Sequence, residues 1–400
     1  MYCCSLPFGL RKTALPFLPP APFVELLLRH AVSGQPPHRL LFVFVTIFFI
    51  ALQATNARAD TKNLLKTPLQ HAKTVTLTAN AGLKYRERAQ AMQFADDLAE
   101  RRHLDSTWVR HAIGQAHQIP AVSRLMQPAT QPFVKNWRAY RSRFIDPVRI
   151  AAGVQFWQRN GATLARAQQD YGVPPEIIIG IIGVETIYGR HTGNFRVLDA
   201  LSTLAFDFPA SHPRATERSA YFKGELEQFL ILQHRRGGDP FTARGSYAGA
   251  IGMPQFMPTS VNNYAVDFDG DGRIDLWTSS ADVIGSVANY LKAFNWHPGM
   301  PTHFSVQFDI DQLNINALMA PDILPTFSVA SFTAMGAVLE EAALGHSGPL
   351  ALIELKNGPD APQYVAGTEN FYAITRYNWS SYYAMAVIEL GQAVAARIKR

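Results

Sequence analysis

The stretch of sequence that decides the fold is residues 174–189, which read PPEIIIGIIGVETIYG. Pro174 and Pro175 suit the first turn of a helix, where a missing N–H costs least. Glu176 suits the same end because the helix dipole favours an acid there. The remainder is almost entirely isoleucine, valine and glycine, so the pattern predicts a helix that is buried on every side and ends near Gly189.

Glu185 is the one residue that breaks the apolar body of this predicted helix. Burial penalises the ionised form of a carboxyl group, so we expect a raised pKa. A carboxylic acid that stays protonated near neutral pH is the group that a glycosidase uses to protonate a leaving oxygen. The alternative is a structural glutamate that hydrogen-bonds loop amides, and the stretch alone leaves both interpretations open.

Length and charge set the outer limits of the interpretation. The chain has 400 residues and a formal net charge of +6, which allows about two or three packed units with a mild preference for anionic polymers or surfaces. There is no dense run of arginine and lysine and no nucleic-acid-binding motif, so we expect no nucleic-acid partner.

The beginning of the chain has the pattern of an export signal. Residues 40–51 form a continuous apolar run that Arg29 and Arg39 precede and that a small-x-small sequence follows at residues 57–59. We therefore predict a signal peptide over residues 1–59, with Asp60 as the first mature residue. The run is short for a membrane span, and the alternative is that it is retained as an anchor.

Cys3 and Cys4 are the only cysteines of the chain. Both precede the apolar run, whereas the acylated cysteine of a lipoprotein follows it, so the sequence predicts a protein that is not a lipoprotein. The mature chain would have no disulfide and no thiol nucleophile.

The part of the chain before the central stretch is predicted to be helical. Residues 82–118 have a helical pattern with a cap near Asp105. Residues 135–145 combine aromatic and basic side chains, which predicts a helix with Trp137 and Phe144 buried. Tyr140, flanked by arginines, suits either that stripe or a sugar-binding wall. Further helical patterns cover residues 150–171, 197–206, 221–234 and 283–295.

Residues 246–252 consist of serine, alanine and glycine apart from Tyr247 and Ile251. Such a segment lets the backbone approach a ligand closely, although tight packing is the alternative. Gln255 follows in an apolar setting, where a buried amide needs partners.

Residues 267–277, DFDGDGRIDLW, have the pattern of an EF-hand calcium loop, with alternating carboxylates, a glycine at the turn and a backbone carbonyl after it. The twelfth position is Thr278 instead of glutamate, and Asp282 is the candidate that closes the site. We predict structural Ca²⁺; the alternative is a polar turn without an ion. The candidate ligands are Asp267, Asp269, Asp271, the carbonyl of Arg273, and Asp282.

Residues 302–355 change to a strand-like pattern. We predict strands at residues 303–308 and 351–355 with a helical segment at residues 332–341 between them. Tyrosine and tryptophan recur over residues 370–383, which favours a sugar-binding surface over an aromatic core, and a helix is predicted for residues 384–398.

Four of these stretches, residues 183–189, 246–258, 267–277 and 370–378, occur in the same order in family 3 lytic transglycosylases. The chain resembles this family from about residue 81 to its end. The resemblance implies an α+β, mainly α fold: a lysozyme-like core with a helical domain and a small antiparallel β subdomain. The implied domains are a helical domain (60–150), a catalytic core with the calcium loop (151–300), the β subdomain (301–365), and an aromatic segment and helix that return to the core (366–400).

The resemblance also implies the reaction. The substrate would be the glycan strand of peptidoglycan, cut at the β-1,4 bond between N-acetylmuramic acid and N-acetylglucosamine. Glu185 would protonate the leaving oxygen and then deprotonate the muramyl C6 hydroxyl, which attacks C1 and leaves a 1,6-anhydromuramyl end. An internal nucleophile explains why one carboxylate suffices. The implied setting is the periplasm, with a monomeric enzyme that can join a cell-wall synthesis complex.

Several residues match substrate-contacting positions of the family. The family usually has paired arginines before Tyr221; here the segment is ERSAY, so Arg218 alone keeps the register. The implied substrate-binding residues are Ser246, Gln255, Tyr140, Tyr290, Tyr377, Asn378, Tyr383 and Arg218.

Two other functions remain open from the sequence. A hydrolytic muramidase on the same core would need a second carboxylate to activate water, and Asp199 and Asp207 are the nearest candidates. A non-catalytic, calcium-stabilised scaffold would bind peptidoglycan without cutting it.

Overall fold

The computed structural model describes residues 83–128 and 134–399. The predicted signal peptide, its cleavage site and both cysteines lie outside the described residues. Within these residues, no helix has both the length and the apolar character that crossing a membrane requires.

Short helices form the first part of the described chain. Asp105 caps one of them, as predicted, because its carboxylate accepts the N–H of Trp108 at 2.6 Å. Trp137 and Phe144 are both buried, which confirms the predicted aromatic stripe. The helices are α1 (Ala89–Arg102), α2 (Ser106–Gly114), α3 (Pro120–Leu125) and α4 (Trp137–Arg141).

The predicted central helix is α6 (Pro175–Thr186), which follows the long helix α5 (Pro147–Tyr171). Every residue of α6 from Ile177 onward is buried, as the apolar pattern predicts.

The predicted end of α6 near Gly189 is wrong, because the helix ends at Thr186. The Thr186 hydroxyl donates to the carbonyl of Met253 at 2.9 Å and accepts the N–H of Gly189 at 3.0 Å. Ile187, Tyr188 and Gly189 then follow with φ values of 50°, 56° and 89°. A bond to a distant loop therefore turns the chain out of the helix.

The last helix, α15 (Ser381–Ile398), packs directly on α6. A Cβ atom at Gly180 would overlap the carbonyl oxygen of Val387, and one at Gly391 would overlap the carbonyl oxygen of Glu176. Glycine at both positions lets the two backbones touch. This contact brings the first turn of α15 to the end of α6.

The remaining helices of the core surround this pair. The predicted start of α8 at residue 221 is too late, since the helix begins at Ala215. Two very short antiparallel strands, β1 (Phe195–Arg196) and β2 (Arg244–Gly245), pair beside them. The helices are α7 (Val197–Phe206), α8 (Ala215–Arg235), α9 (Pro258–Tyr264) and α10 (Ser280–Ala293).

The chain between α10 and the C-terminal helices forms a separate four-stranded antiparallel sheet. Its strand order is β4-β3-β6-β5. It has its own hydrophobic cluster, which includes Phe304, Phe332 and Leu352. The strands are β3 (His303–Phe308), β4 (Ala337–Leu339), β5 (Ala351–Asn357) and β6 (Asp360–Gly367), with the short helices α11 (Ile315–Met319), α12 (Val329–Ala334) and α13 (Glu341–Leu344).

Two predictions for this region need correction. The helix predicted for residues 332–341 is wrong beyond Ala334, because Gly336 has φ 86° and β4 follows, paired with β3. Strand β6 had no counterpart in the prediction, and β5 is longer than predicted. The chain then continues into α14 (Glu369–Thr375) and α15, which Ser380 caps. The predicted domain boundaries stay a prediction.

Candidate active site

A cavity opens at the C-terminal end of α6. It combines an acid, a cation, amides, a hydroxyl and aromatic rings, which is a mixed lining suited to a polar ring-shaped ligand. The lining residues are Met126, Glu185, Arg218, Tyr221, Phe222, Ser246, Tyr247, Ala248, Ala250, Gln255, Met257, Tyr377 and Asn378.

Glu185 lies in the last turn of α6 with 8% of its surface exposed. Burial raises its pKa to about 7, and a hydrogen bond from the Tyr383 hydroxyl opposes this rise. The hydroxyl donates to Oε1 of Glu185 at 2.7 Å. Among the described residues no loop amide donates to this carboxylate, so the interpretation as a structural brace is wrong. This carboxyl group therefore changes its protonation state near neutral pH.

Tyrosines enclose the carboxyl group on several sides. Burial raises the pKa of Tyr140, Tyr290, Tyr377 and Tyr383, and the nearby charge of Glu185 adds to the rise in each. The Tyr290 hydroxyl donates to the carbonyl of Arg376 at 2.7 Å, and the Tyr377 hydroxyl donates to the carbonyl of Pro254.

The cavity lining distinguishes these four tyrosines. Tyr377 belongs to it, together with Asn378, whereas Tyr140, Tyr290 and Tyr383 do not. The role of these three tyrosines as groove walls therefore stays a prediction. Burial is the physical cause of the raised pKa of Glu185, and of these three tyrosines Tyr383 contacts its carboxylate directly.

The serine- and glycine-rich segment forms a tight loop at one side of the cavity. The Ser246 hydroxyl oxygen accepts the N–H of Ala250 at 3.0 Å, which leaves its proton available to a ligand. Gly249 and Gly252 have φ values of 85° and 70°, and a Cβ at either would overlap Leu201 or the carbonyl of Leu276. Tight packing and close ligand approach are therefore both properties of this segment.

Gln255 has an uncommon left-handed conformation, with φ 52°. Its amide nitrogen donates to the carbonyls of Gly252 at 2.8 Å and Thr192 at 3.1 Å. Its buried Oε1 atom has no hydrogen-bond partner among the described residues. Because an unpaired buried acceptor is costly, this oxygen is suited to accept a hydrogen bond from a ligand in the cavity.

Arg218 supplies the cavity with a positive charge from α8. Its guanidinium group packs over the rings of Tyr221 and Phe222, at 5.7 and 5.6 Å from their centroids. Burial lowers its pKa, and its Nε atom has no partner among the described residues. Glu217, at the neighbouring position, is exposed and pairs with Arg214.

Glu225 is a buried carboxyl group that the sequence analysis missed. It accepts the N–H of Thr259 at 2.9 Å, and its charge adds to the raised pKa of Tyr221, which lines the cavity. Burial raises its pKa. The i, i+4 spacing of Tyr221 and Glu225 on one helix was the signal available in the sequence. Glu225 thus joins α8 to the start of α9 behind the cavity wall.

The second carboxylate that a muramidase would need is not found at the proposed positions. Asp199 accepts the N–H of His117 at 2.9 Å and pairs with Arg196 at 2.6 Å. Asp207 pairs with Arg88 and accepts the hydroxyl of Tyr85. Neither lines the cavity, and both are held by partners elsewhere.

The acidic loop brings three of the predicted metal ligands together. Ligand oxygens of Asp267, Asp269 and Asp282 lie within 4.8 Å of one another. Asp282 is buried and accepts the N–H groups of Phe268 at 2.8 Å and Asp275 at 2.7 Å. A hydrogen bond from Ser279 lowers the pKa of Asp269 and keeps it ionised.

Asp271 is outside this group of three. Its carboxylate accepts the backbone N–H of Arg273 at 2.8 Å, which folds it into the local turn. The loop therefore offers three gathered carboxylates, one of which comes from α10 as predicted.

Comparisons with known proteins agree with this geometry. The family model described as Transglycosylase SLT domain matches residues 86–392. The chain is 42% identical over 331 residues to membrane-bound lytic murein transglycosylase B of Escherichia coli (strain K12), covering 77% of this chain and 84% of that protein.

Two solved structures extend the comparison. The Escherichia coli lytic transglycosylase Slt35 in complex with calcium has a TM-score of 0.68 and 39% identity, covering 82% of this chain and 100% of that one. SltB3 from Pseudomonas aeruginosa in complex with NAG-anhNAM-pentapeptide has a TM-score of 0.65 and 28% identity, covering 77% and 80%. These matches confirm the predicted fold class, a mainly helical α+β protein with a lysozyme-like core.

Proposed function

Because the chain belongs to the transglycosylase SLT domain family, we infer that it is a peptidoglycan lytic transglycosylase. It binds the glycan strand and cleaves the β-1,4 bond between N-acetylmuramic acid and N-acetylglucosamine with formation of 1,6-anhydromuramyl ends. The SltB3 structure contains such an anhydro sugar. The observation on this chain that carries the proposal is the buried, cavity-lining Glu185 with a pKa of about 7.

Glu185 acts in this proposal as the single acid and base. With a pKa of about 7, Glu185 is protonated in about half of the enzyme molecules near pH 7, so the carboxylic acid can protonate the leaving glycosidic oxygen. The resulting carboxylate then accepts the proton of the muramyl C6 hydroxyl, and that oxygen bonds to C1. The proton count balances, since the acid is restored at the end. The hydrogen bond from Tyr383 to Oε1 stabilises the carboxylate between the two steps.

One carboxylate is enough because the nucleophile belongs to the substrate. Glu185 is the only carboxylate among the described residues that line the cavity. A hydrolytic muramidase would need another to activate water, so this alternative is not favoured. A scaffold without activity does not explain why the cavity contains a buried carboxyl group whose pKa is close to neutral.

The substrate-binding residues of the proposal are those with free hydrogen-bonding capacity in the cavity. Gln255 Oε1 suits a sugar hydroxyl or amide N–H, and the Ser246 hydroxyl suits an acceptor. Arg218 suits a carbonyl or carboxylate of the muramyl unit. Tyr377 and Asn378, which line the cavity from the segment between α14 and α15, complete this set. Tyr140, Tyr290 and Tyr383 are further substrate-binding residues by resemblance, and Tyr383 also donates a hydrogen bond to the acid.

Loss of product release in the Glu185→Gln variant tests the assignment of the acid. Purified peptidoglycan is incubated with the wild type, with Glu185→Gln and with Asp199→Asn, and soluble muropeptides are identified by mass spectrometry. Anhydro products from the wild type and from Asp199→Asn, with none from Glu185→Gln, are expected. Turnover by Glu185→Gln would show that the acid lies elsewhere.

The acidic loop is proposed to hold calcium. The fit rests on three carboxylates whose oxygens lie close together, a hard donor set that suits a hard cation, and on the calcium complex of Slt35. Asp267, Asp269 and Asp282 would hold the ion, with Asp271 and the Arg273 carbonyl as further predicted ligands. When bound, the ion supplies structural stability to the loop before α10.

Removal of calcium tests this site directly. A ligand that binds only the folded state raises the melting temperature, so chelator should lower it and added Ca²⁺ should restore it. An unchanged melting temperature with chelator would contradict the calcium proposal.

The cellular setting is proposed from the leader and the substrate. We expect export to the periplasm with cleavage before Asp60, a monomeric protein without a lipid anchor, and association with cell-wall synthesis enzymes. N-terminal sequencing of the exported protein should begin at Asp60; retention of residues 40–51 would make the apolar run an anchor instead.

A further inference from the structure

The turn between β5 and β6, together with the strand residues that flank it, spans residues 356–360 and lies against helix α4. Asn357 is 1% exposed, and its Oδ1 atom accepts the N–H of Arg138 at 3.1 Å in the first turn of α4. The N–H of Gly358 donates to the carbonyl of Lys135 at 3.0 Å. Two hydrogen bonds therefore tie the sheet to the start of α4.

The same turn contacts the helix that carries the hydrogen-bond donor of the acid. The Tyr382 hydroxyl, in the first turn of α15, donates to the carbonyl of Lys356 at 3.2 Å. The ring of Tyr382 meets Trp137 and Tyr140 of α4 edge-on, with centroids 5.9 and 5.7 Å apart. Tyr383, the next residue, donates to Glu185. The sheet, α4 and α15 thus meet next to this donor.

Further contacts join α4 to α15 and to the surroundings of the acid. Arg141 of α4 pairs with Glu389 two turns along α15. Tyr140 of α4 is among the tyrosines whose pKa the charge of Glu185 raises. A displacement of α4 would therefore change both the alignment of Tyr383 and the enclosure of Glu185.

We propose that Asn357 is a positioning residue for the catalytic acid, since it holds α4 and thereby the first turn of α15 in place. The proposal rests on the proposed function and assigns the small β sheet a part in catalysis. Among the described residues, the hydrogen bond to the Glu185 carboxylate comes from the Tyr383 hydroxyl, and the tyrosines whose pKa the charge of Glu185 raises carry no positive charge. The alignment of Tyr383 is therefore the contact through which Asn357 acts.

The test compares Asn357→Ala with Asp360→Ala, a matched change in the same turn. Asp360 pairs with Arg138, but the two side chains are 58% and 64% exposed, so the loss of this pair should change little. With purified protein and peptidoglycan, Asn357→Ala should lower kcat about tenfold with little change in KM, as expected for a small misplacement of a catalytic group. Asp360→Ala should match the wild type.

Coupling to Tyr383 distinguishes positioning from a general loss of stability. If Asn357 acts through Tyr383, Asn357→Ala should cost little further activity in a Tyr383→Phe background. Asn357→Asp keeps the acceptor for Arg138 but loses the amide N–H that donates to the carbonyl of Ala361 at 3.2 Å, so it should retain more of kcat than the alanine variant but less than the wild type. Asn357→Ser, with a shorter acceptor, replaces the alanine variant if that variant does not fold.

Three results would overturn the proposal. These are an unchanged kcat in folded Asn357→Ala, a rise in KM alone, or losses that multiply in the double variant. Failure of the proposed function is a separate outcome, since the wild type would then release no anhydro products.

Discussion

Replacement of Tyr383 by phenylalanine isolates the hydrogen bond that tunes the acid. The ring is buried and stacks on Tyr377 with centroids 6.3 Å apart and an interplanar angle of 15°. Phenylalanine keeps this packing and removes only the hydroxyl that donates to Glu185 at 2.7 Å. We expect a folded protein with an altered acid.

The magnitude follows from the strength of that bond. A hydrogen bond to a charged group contributes about 1.5–3 kcal/mol, and about 1.4 kcal/mol corresponds to one pKa unit. The bond lowers the pKa of Glu185 against the rise caused by burial. Its loss should therefore raise the pKa from about 7 by about one to two units.

The direction of the activity change depends on which form of Glu185 is needed first. Glu185 must be protonated to donate to the leaving oxygen, so activity falls as pH rises through its pKa. The alkaline limb of kcat/KM reports this group in the free enzyme. In Tyr383→Phe the alkaline limb of kcat/KM should move about one pH unit or more toward higher pH. The value of kcat should fall about tenfold because the carboxyl group of Glu185 is less well oriented.

The assay is the rate of muropeptide release from peptidoglycan over a series of pH values, for the wild type and Tyr383→Phe. Circular dichroism controls for folding. An alkaline limb that stays in place, or that moves to lower pH, would refute the assignment of Tyr383 as the donor that lowers the pKa of Glu185.

The remaining predictions concern stability. The folded-state pKa of Glu185, about 7, lies above its ordinary value of 4.5, so the wild type loses stability as pH rises between these values. In denaturant unfolding, Glu185→Gln should therefore be more stable than the wild type by about 3 kcal/mol above pH 7, and the difference should be smallest below pH 4.5. Equal stability of the two proteins at alkaline pH would contradict the raised pKa of Glu185. Gly180→Ala should destabilise the protein by several kcal/mol, as overpacking does, because its Cβ would overlap Val387. Gly224 lies on α8 with open space around it, so Gly224→Ala should stabilise the protein by about 0.5–1 kcal/mol. Similar melting temperatures for the two variants would refute the contact of α6 with α15. Asp282→Ala should lower the melting temperature even with chelator present, because two N–H groups lose their acceptor; an effect seen only with calcium would show that these bonds contribute nothing.

The fold of the central helix could be predicted because its pattern is local. A run of isoleucine and glycine with one acid specifies burial on all sides whatever the partners are, and α6 is buried as expected. Its end could not be predicted, because the hydroxyl of Thr186 bonds to Met253, a contact that only the folded chain contains. Gly189 remained a reasonable stop from the sequence, three residues beyond the observed one.

The sequence could mark Glu185 as a buried carboxyl group with a raised pKa, but it could not predict the contacts of the residues around it. A tyrosine that faces a sugar and one that encloses a carboxyl group look the same in a sequence. Tyr290 and Tyr383 match groove positions by resemblance, and the structure adds that the Tyr383 hydroxyl donates to Glu185. Glu225 was missed because the i, i+4 spacing with Tyr221 does not by itself show that the carboxyl group is buried.

The sheet shows the limit of short-range patterns most clearly. Strand β4 has only three residues, and its pairing with β3 decides its conformation after the turn at Gly336. The sequence pattern instead predicted one helical segment over residues 332–341, which includes the residues of β4. Asn357 likewise has no local signal for its contact with α4, since Arg138 is 219 residues away in sequence.

The central claim is that Glu185 catalyses attack by the C6 hydroxyl of the substrate, without water as a reactant. The most direct measurement is mass spectrometry of the muramyl ends released when the wild type acts in water enriched in the heavy oxygen isotope. The account predicts anhydro ends that carry no solvent oxygen. Reducing ends labelled with one heavy oxygen would contradict it and identify a muramidase.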